Sequence, residues 1–244
     1  MSGLLDRRPG VLALVDPSRV TPAAAGAIAA AAADAGTAGL LIGSSFDGES
    51  ETDAVARAAR RAAPGLPIGL FPGSAMQLTD AVDVILLLCL VSGRNPQYLI
   101  EEHVRAVPFL RRHPVPTIST AYILVDGGRV TSVESVSQTR PLPADKPELA
   151  AAHAAAGCLI GMRAVYLEAG SGAERPVPAA VIRACRDAIP PAVPLLVGGG
   201  VREPEQAAAA RAGGADFVVI GSVLEAGVDA GGPPLRAFTR AVRP

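Results

Sequence analysis

The 244-residue chain has little of what marks a metal-binding, secreted or nucleic-acid-binding protein. Its three cysteines, Cys89, Cys158 and Cys185, are far apart and lack the spacing of a metal site, which predicts reduced structural thiols. The formal net charge is only -1. Neither nucleic acid nor an anionic membrane surface is therefore expected as the main partner.

Neither a targeting segment nor a membrane-spanning segment is expected from the sequence. The start, MSGLLDRRPG, has no apolar signal-peptide region, and the run VILLLCLV is too short to span a bilayer. We therefore expect a cytoplasmic protein. A single lysine, Lys146, stands among 22 basic residues. Together with the excess of Ala, Gly and Pro, this indicates the coding bias of a GC-rich genome.

What the sequence does contain is an alternation of short apolar runs and alanine-rich helical stretches. Continuous rather than alternating hydrophobicity predicts strands that are buried on both faces, as in a parallel sheet. Eight such units fit a single-domain (β/α)8 TIM barrel, residues 1–244, better than an open doubly wound sheet. The predicted strands are Val11–Val15, Gly39–Gly43, Pro67–Phe71, Val84–Leu88, Ser119–Val125, Ala164–Leu167, Pro194–Gly198 and Phe217–Gly221.

Helices are predicted between these strands. The first has Thr21 as its N-cap and Pro22 at its first position. The turn DGG at Asp126–Gly128 predicts a hairpin whose second strand, near Val130–Val136, lies outside the barrel. The predicted helices are Thr21–Ala35, Glu51–Ala63, Ala75–Ala81, Pro96–Arg112, Pro147–Gly161, Val177–Ala188, Pro204–Gly213 and Pro233–Val242.

Polar and glycine-rich residues collect at the C-terminal ends of the predicted strands, where TIM barrels place their chemistry. The loops after the seventh and eighth strands are the usual phosphate site of this fold, and glycine lets successive backbone N–H groups approach an anion. Tight turns alone would also explain these glycines. The predicted phosphate-binding residues are Ser171, Gly172, Gly198, Gly199, Gly200, Gly221 and Ser222.

Several motifs together resemble the geranylgeranylglyceryl phosphate synthase family, including its bacterial heptaprenylglyceryl phosphate relatives. They are VDPSR, IGSS, LFPGS, LVSGRNPQYLI, AYILV, GMRAVYLEAGSGA, LLVGGGVREPEQA and GADFVVIGS, from about Val11 to Glu225. YLEAGSGA and SGRNPQYL are specific, whereas the glycine loops alone are not. The resemblance implies a (β/α)8 prenyltransferase that uses Mg²⁺. Such an enzyme joins an allylic polyprenyl diphosphate to a hydroxyl group of sn-glycerol 1-phosphate.

The resemblance also implies residue roles. Asp16 matches the Mg²⁺-binding aspartate, although a helix-entry turn would explain it too. Asp47 or Ser45 is a second candidate ligand on a looser match, and Asp47 fits a solvated loop equally well. Glu168 matches the glutamate at the acceptor hydroxyl group, where a carboxylate can take the proton. Tyr166 matches a tyrosine at the acceptor, or is a tyrosine of the barrel core.

The prenyl chain requires a long apolar groove. The helix after SGRNP and the strand VILLLCL are its candidate walls, although an ordinary core explains the same residues. The chain has only five Phe and three Tyr to stop such a groove, so farnesyl and geranylgeranyl donors both stay open. The family also implies a homo-oligomer, often a dimer. A lipid product further implies some proximity to membranes.

The acceptor is open as well, because the sequence departs from the family twice. The usual lysine-bearing DPDK run is DPSR here, so that Arg19 could contact the acceptor or the diphosphate. Ser222 stands where Asn or Thr is common. A divergent branch of the family prenylates 3-phosphoglycerate in phosphoglycolipid antibiotic assembly, and a GC-rich genome fits the actinomycetes that make such compounds. Both acceptors therefore stay as alternatives.

Two other classes of protein share phosphate-binding barrels, so they are alternatives at this point. A phosphosugar isomerase or aldolase would need a paired acid and base or a Schiff-base lysine. Lys146 falls in a loop before a helix and not at a strand end, which argues against an aldolase. A non-catalytic phospholigand-binding barrel would not need both Asp16 and Glu168.

Overall fold

The computed structural model describes residues 3–6, 9–221, 223–224 and 235–243. They form a closed barrel in which each strand pairs in parallel with the next, and the last strand pairs with the first. The predicted TIM barrel is thus confirmed. The strands are β1 Gly10–Val15, β2 Gly39–Ile42, β3 Ile68–Leu70, β4 Val84–Leu90, β5 Thr117–Leu124, β6 Ala164–Glu168, β7 Leu195–Gly198 and β8 Phe217–Ile220.

Helices surround this barrel at nearly the predicted positions. The Thr21 side chain accepts a hydrogen bond from the Ala24 N–H at 3.2 Å and so begins the first helix, as predicted. The described α-helices are α1 Pro22–Asp34, α2 Thr52–Ala62, α3 Glu102–Arg112, α4 Ser132–Ser137, α5 Pro147–Leu159, α6 Ala179–Ala188, α7 Pro204–Ala212 and α8 Leu235–Ala241.

The predicted hairpin after β5 is wrong. Residues Val130–Val136 do not form a strand, because Ser132–Ser137 is the short helix α4. Val133 and Val136 are three residues apart, which is a helical spacing and not that of a strand. Both line the large cavity described below. Within the described connection from β5 to β6, the one β-type pairing is an isolated bridge between Val125 and Leu142.

The helical layer is thin between β3 and β4. The helix predicted at Ala75–Ala81 is only a 3-10 turn, Ala75–Gln77, which begins where the Ser74 hydroxyl group accepts from the Met76 N–H. The helix predicted at Pro96–Arg112 begins instead as a π-helical turn, Gln97–Glu101, that continues into α3. The connections that follow β3 and β4 are therefore less regular than the sequence predicted.

One end of the barrel interior is closed. A 3-10 turn at Gly3–Leu5 buries Leu4 completely, and the side chain of Leu4 packs against Gly69 so closely that a Cβ atom there would lie 2.6 Å from it. Higher in the barrel, Leu12 and Phe217 are also completely buried. The opening that remains lies at the C-terminal ends of the strands.

None of the helices in the described part of the chain has the length and apolar character that crossing a bilayer requires.

Candidate active site

A cavity of about 1340 Å³, including its open mouth, occupies the C-terminal end of the barrel. Its polar part is lined by residues that follow β1, β2, β6, β7 and β8, and its other part is apolar. Asp16 and Glu168 both line this cavity, as the sequence predicted. The polar lining includes Asp16, Ser45, Glu168, Ser171, Gly172, Gly199, Gly200 and Gly221.

Glu168 is the last residue of β6 and is only 6% exposed. Its Oε1 atom accepts a hydrogen bond from the Gly170 N–H at 2.6 Å. Burial raises the pKa of the Glu168 carboxyl group from 4.5 to about 7, although the Gly170 N–H and the nearby Tyr166 hydroxyl group act in the opposite direction. A carboxyl group of this pKa can gain and lose a proton near neutral pH, which suits acid–base chemistry.

Tyr166 lies below Glu168, since residues two apart on a strand face the same way. The side chain is fully buried, and its ring stacks on Tyr122 with a centroid distance of 5.4 Å and an interplanar angle of 6°. Burial first, and then the charge of Glu168, raise the pKa of the Tyr166 hydroxyl group, which stays protonated. That hydroxyl group makes no hydrogen bond of good geometry among the described residues, although it lies close enough to the Glu168 carboxylate to lower the pKa of that carboxyl group. It is thus both a core residue and a donor left for a ligand.

Two aromatic residues of this cluster were missed from the sequence. Phe71 lies 4.8 Å from Tyr166 between ring centroids, and both Phe71 and Tyr122 line the cavity. Tyr122 is directly opposite Tyr166 in the register of β5 and β6. The available signal was that both tyrosines lie in adjacent strands. An aromatic residue inside an apolar strand otherwise looks like ordinary core.

The loops after β6 and β7 expose backbone donors to the cavity. The N–H groups of Ser171, Gly172 and Gly200 donate to no acceptor in the described part of the chain. Unpaired N–H groups of residues that line one space favour an anion. Gly198 leaves room for the Tyr166 hydroxyl group, which a Cβ atom would overlap. Ser222, the remaining predicted phosphate ligand, lies outside the described residues.

Gly199 lets the loop after β7 pass beside Glu168. Its φ angle is +80°, and a Cβ atom there would overlap the Glu168 carboxylate and lie 2.6 Å from the backbone nitrogen of Gly170. Backbone cannot move aside as a flexible side chain can. Glycine is therefore required at this position by both conformation and space.

We expect Gly199→Ala to lower the free energy of unfolding by about 2 kcal/mol or more, because it combines a strained φ angle with an overlap. Chemical denaturation measures the effect. The matched control is Gly65→Ala, where nothing lies within 4 Å of the added atom and the φ angle is not positive. Equal stability of the two variants would show that Gly199 is not required in this way.

Asp16 presents an oriented carboxylate at the end of β1. Its Oδ1 atom accepts hydrogen bonds from the Ser18 N–H at 2.9 Å and the Ser18 hydroxyl group at 2.7 Å. Its backbone carbonyl group accepts from the Arg19 N–H at 3.0 Å, so Asp16 also shapes the turn into α1. Asp16 therefore both shapes the turn into α1 and lines the cavity, where its carboxylate is available to a ligand.

The other predicted metal ligands differ in position. Ser45 lines the cavity, whereas Asp47 does not. Asp47 is exposed, and its Oδ1 atom accepts from the Gly48 N–H at 2.7 Å. The described residues contain no group of three His, Cys, Asp or Glu side chains that could hold a metal ion. A metal at this site would depend on Asp16, with substrate oxygens and water as the other ligands, which is an arrangement that Mg²⁺ accepts.

Arg19 is not part of the cavity wall. Its side chain is 54% exposed, and its Nε atom lies 3.6 Å from Asp16 Oδ2. Among the residues described, the lining contains no arginine and no lysine. An anionic ligand would thus meet backbone N–H groups and hydroxyl groups there, but no fixed cation.

The apolar part of the cavity forms a groove between β4, α3 and α4. The walls include both elements that the sequence suggested, with α4 as an addition. Asn95 Nδ2 donates to the Ser137 carbonyl group at 3.1 Å, and the Tyr98 hydroxyl group donates to that of Val136 at 3.3 Å. The SGRNPQYL motif thus holds α4 over the groove. The apolar lining residues are Leu78, Leu87, Leu88, Leu90, Ala106, Val133 and Val136.

Two polar side chains of this groove were not predicted. Glu102 accepts from the Ala75 N–H at 2.7 Å and from Gln97 Nε2 at 3.0 Å, and so holds the 3-10 turn against α3. The Nε2 atom of His103 is buried without a hydrogen-bond partner among the described residues. The helical spacing of α3 gave no sign of either role.

Known proteins share both the sequence and the fold. Geranylgeranylglyceryl phosphate synthase of Spirosoma linguale is 40% identical over 221 residues, which are 91% of this chain and 88% of that relative. The corresponding protein of Aeropyrum pernix is 41% identical over 218 residues, with 87% of this chain and 84% of the relative covered.

Solved structures of other proteins are also similar to this chain. A crystal structure of (S)-3-O-geranylgeranylglyceryl phosphate synthase from Thermoplasma acidophilum, in complex with its substrate sn-glycerol-1-phosphate, superposes with a TM-score of 0.91. It is 28% identical and covers 99% of this chain and 98% of its own. A thiamine phosphate pyrophosphorylase from Pyrococcus furiosus, 12% identical with a TM-score of 0.60, shares the fold alone.

The barrel, its polar end and its apolar groove, together with these relatives, define a TIM-barrel prenyltransferase. The sequence matches the model of the PcrB family over residues 4–238, and the chain belongs to that family.

Proposed function

We propose that the protein transfers a polyprenyl group from an allylic polyprenyl diphosphate to a hydroxyl group of sn-glycerol 1-phosphate. The ether bond forms between the acceptor oxygen and the first prenyl carbon, while the bond from that carbon to the diphosphate breaks. The proposal rests chiefly on one cavity that joins an anion-suited polar end to an apolar groove. The acceptor named is the molecule bound by the Thermoplasma acidophilum relative.

The residues of the polar end have complementary roles in this proposal. The acceptor phosphate binds the free N–H groups of Ser171, Gly172 and Gly200, beside the close-packed glycines Gly198 and Gly199 and beside Gly221, which follows β8. Glu168 takes the proton of the acceptor hydroxyl group, because a pKa of about 7 leaves much of the carboxyl group ionised at neutral pH. The Tyr166 hydroxyl group, which lies beside Glu168, helps to orient the acceptor.

Mg²⁺ is the cofactor that this site suits. A diphosphate is strongly anionic, and the described cavity lining offers it no arginine or lysine. Asp16 would hold the ion, with Ser45 nearby. When bound, Mg²⁺ supplies neutralisation of the negative charge on the departing diphosphate.

The same lining favours sn-glycerol 1-phosphate over 3-phosphoglycerate. The second acceptor carries an additional carboxylate, and an unpaired charge in a closed site is costly. Asp16 and Glu168 would also repel it. The sequence left these acceptors open because Arg19 was a candidate partner for that carboxylate, and Arg19 does not line the cavity.

The experiment that tests the proposal is incubation of the purified protein with labelled farnesyl or geranylgeranyl diphosphate and each acceptor, with and without Mg²⁺. We expect an ether-linked lipid with sn-glycerol 1-phosphate, and only when Mg²⁺ is present. No lipid product with either acceptor would reject the proposed reaction. A product with 3-phosphoglycerate alone would reject the proposed acceptor.

Arg19→Lys should leave the ratio of kcat/KM for the two acceptors unchanged within about twofold, since Arg19 does not line the cavity. The change keeps the positive charge beside Asp16 and removes the planar fork that binds a carboxylate well. Kinetics with both acceptors and the donor measure the effect. A loss of roughly 1–3 kcal/mol confined to 3-phosphoglycerate would instead show that Arg19 binds its carboxylate.

Self-association also belongs to the proposal, with a homodimer as the expected form. The helical segment formed by the π-helical turn and α3 exposes Ile100, Val104 and Val107 at a spacing of four and three residues, with exposures of 55%, 59% and 44%. These side chains lie on one face of the helical segment. A second copy of the chain would cover such a face. Light scattering of the purified protein measures its mass directly.

A further inference from the structure

The loops after β6 and β7 are joined by Arg202, which follows the glycines of β7. Its Nη2 atom donates to the Ala173 carbonyl group at 2.7 Å and to the Gly172 carbonyl group at 3.3 Å. Its Nη1 atom donates to the Glu174 carbonyl group at 3.4 Å. One guanidinium group thus contacts three successive carbonyl groups of a loop that lies almost 30 residues earlier in the chain.

Arg202 does not line the cavity, so it is not placed to touch a substrate. It contacts the outer side of the loop whose Ser171 and Gly172 N–H groups are unpaired. The backbone of Gly200 lies against the same loop, where an added Cβ atom would be 2.8 Å from the carbonyl carbon of Arg175. The two loops are consequently packed as one unit.

We propose that Arg202 is a positioning residue for the acceptor phosphate, because it fixes the loop after β6 with its N–H groups directed into the cavity. This inference rests on the phosphate site of the proposed function. Gly172 has a φ angle of +72°, and nothing lies within 4 Å of the position of its missing Cβ atom. Local sterics therefore do not hold this glycine. The peptide group that follows it is held on its N–H side by the bond from the Ala173 N–H to the Gly170 carbonyl group at 3.1 Å. The Arg202 guanidinium group holds its carbonyl side, by binding the Gly172 and Ala173 carbonyl groups.

The geometry of the guanidinium group matters to this role in addition to its charge. A planar group with several donors can bind adjacent carbonyl groups at once, whereas an ammonium group acts as a point charge on a flexible stem. Arg202→Lys keeps the charge and should lose most of the restraint. Arg202→Gln removes the charge as well.

The test compares wild type, Arg202→Lys and Arg202→Gln in steady-state kinetics and in calorimetric titration with sn-glycerol 1-phosphate and inorganic phosphate. We expect both variants to raise the KM and the Kd for the acceptor about tenfold. The KM for the prenyl diphosphate and kcat should change little. The melting temperature of the free protein should change little too, because Arg202 is exposed.

Arg175→Gln is the matched control. Arg175 lies in the same loop and is 66% exposed, and its guanidinium group lies 3.9 Å from Asp126. The KM of Arg175→Gln for the acceptor should equal that of wild type. If Arg202→Lys had the acceptor KM and Kd of wild type while Arg202→Gln did not, charge alone would matter. If both variants had the acceptor KM and Kd of wild type, Arg202 would have no role in binding the acceptor. Either result overturns the inference. If wild type itself binds neither sn-glycerol 1-phosphate nor inorganic phosphate, the phosphate site of the proposed function is rejected, and the inference about Arg202 is rejected with it.

Discussion

Asp16→Asn should lower kcat by about 100-fold or more, which corresponds to roughly 3 kcal/mol of transition-state stabilisation. The substitution keeps the shape of the side chain, and the amide oxygen can still accept the hydrogen bonds from Ser18. It removes the one carboxylate that the end of β1 contributes to the cavity. Since the described lining has no arginine or lysine, little else would compensate for the charge of the departing diphosphate.

The measurement is kcat and KM across a range of Mg²⁺ concentrations, together with the circular dichroism of the folded protein. Asp34→Asn is the control, because Asp34 ends α1 at the opposite end of the barrel. Wild-type activity of Asp16→Asn at every Mg²⁺ concentration would show that Asp16 is not the ligand. Asp47→Asn, run in parallel, tests the second ligand, and its exposed position predicts a small effect.

The barrel could be predicted because its strands are continuous apolar runs. β2 and β7, for example, are fully buried at every position, and their sequences GLLI and LLVG show no alternation. Strand ends were placed within two residues. The error after β5 came from reading β-branched residues as strand, although Val133 and Val136 have helical spacing. The turn at Ala75–Gln77 shows a similar limit, because local sequence does not reveal how long a helix continues.

Part of the candidate site was also visible in the sequence, since residues at strand ends meet at one end of a barrel. Asp16, Glu168 and Gly199 were found in this way. Arg202 was not, because its contacts are with carbonyl groups of another loop, and no local pattern encodes them. Arg19, in contrast, was a candidate ligand contact in the sequence but does not line the cavity. It follows Asp16 closely in sequence, and its half-exposed side chain lies beside Asp16.

Glu168 links catalysis to stability through its burial. In the folded protein its pKa is raised from 4.5 to about 7, so the folded form binds more protons than the unfolded form between these pH values. Stability is therefore unaffected below about pH 4.5, falls as the pH rises, and reaches its full loss above about pH 7. The two pKa values differ by about 2.5, which corresponds to roughly 3 kcal/mol. An active-site carboxylate thus destabilises the fold in the pH range where it can act as a base.

Glu168→Gln should lower kcat/KM by about 100- to 10,000-fold, because the amide cannot take the proton of the acceptor. In wild type, kcat/KM should rise with pH through about 7 as Glu168 ionises, and this rise should be absent from the residual activity of the variant. Glu205→Gln, an exposed substitution on α7, is the control for both the value of kcat/KM and its dependence on pH. A variant with the activity and pH profile of wild type would show that Glu168 is not the base.

The same substitution should make the protein more stable above pH 7 by roughly 3 kcal/mol, because a neutral amide avoids the cost of a buried charge and can still accept the Gly170 N–H. The gain should shrink to zero below about pH 4.5, where the wild-type carboxyl group becomes protonated in the unfolded state as well as in the folded state. Urea denaturation at pH 5, 6, 7 and 8 measures this dependence. A gain that is the same at every pH would mean that packing, and not the ionisation of Glu168, changes the stability. Lost activity with a pH-dependent gain in stability would place the base and the buried charge on the same carboxyl group.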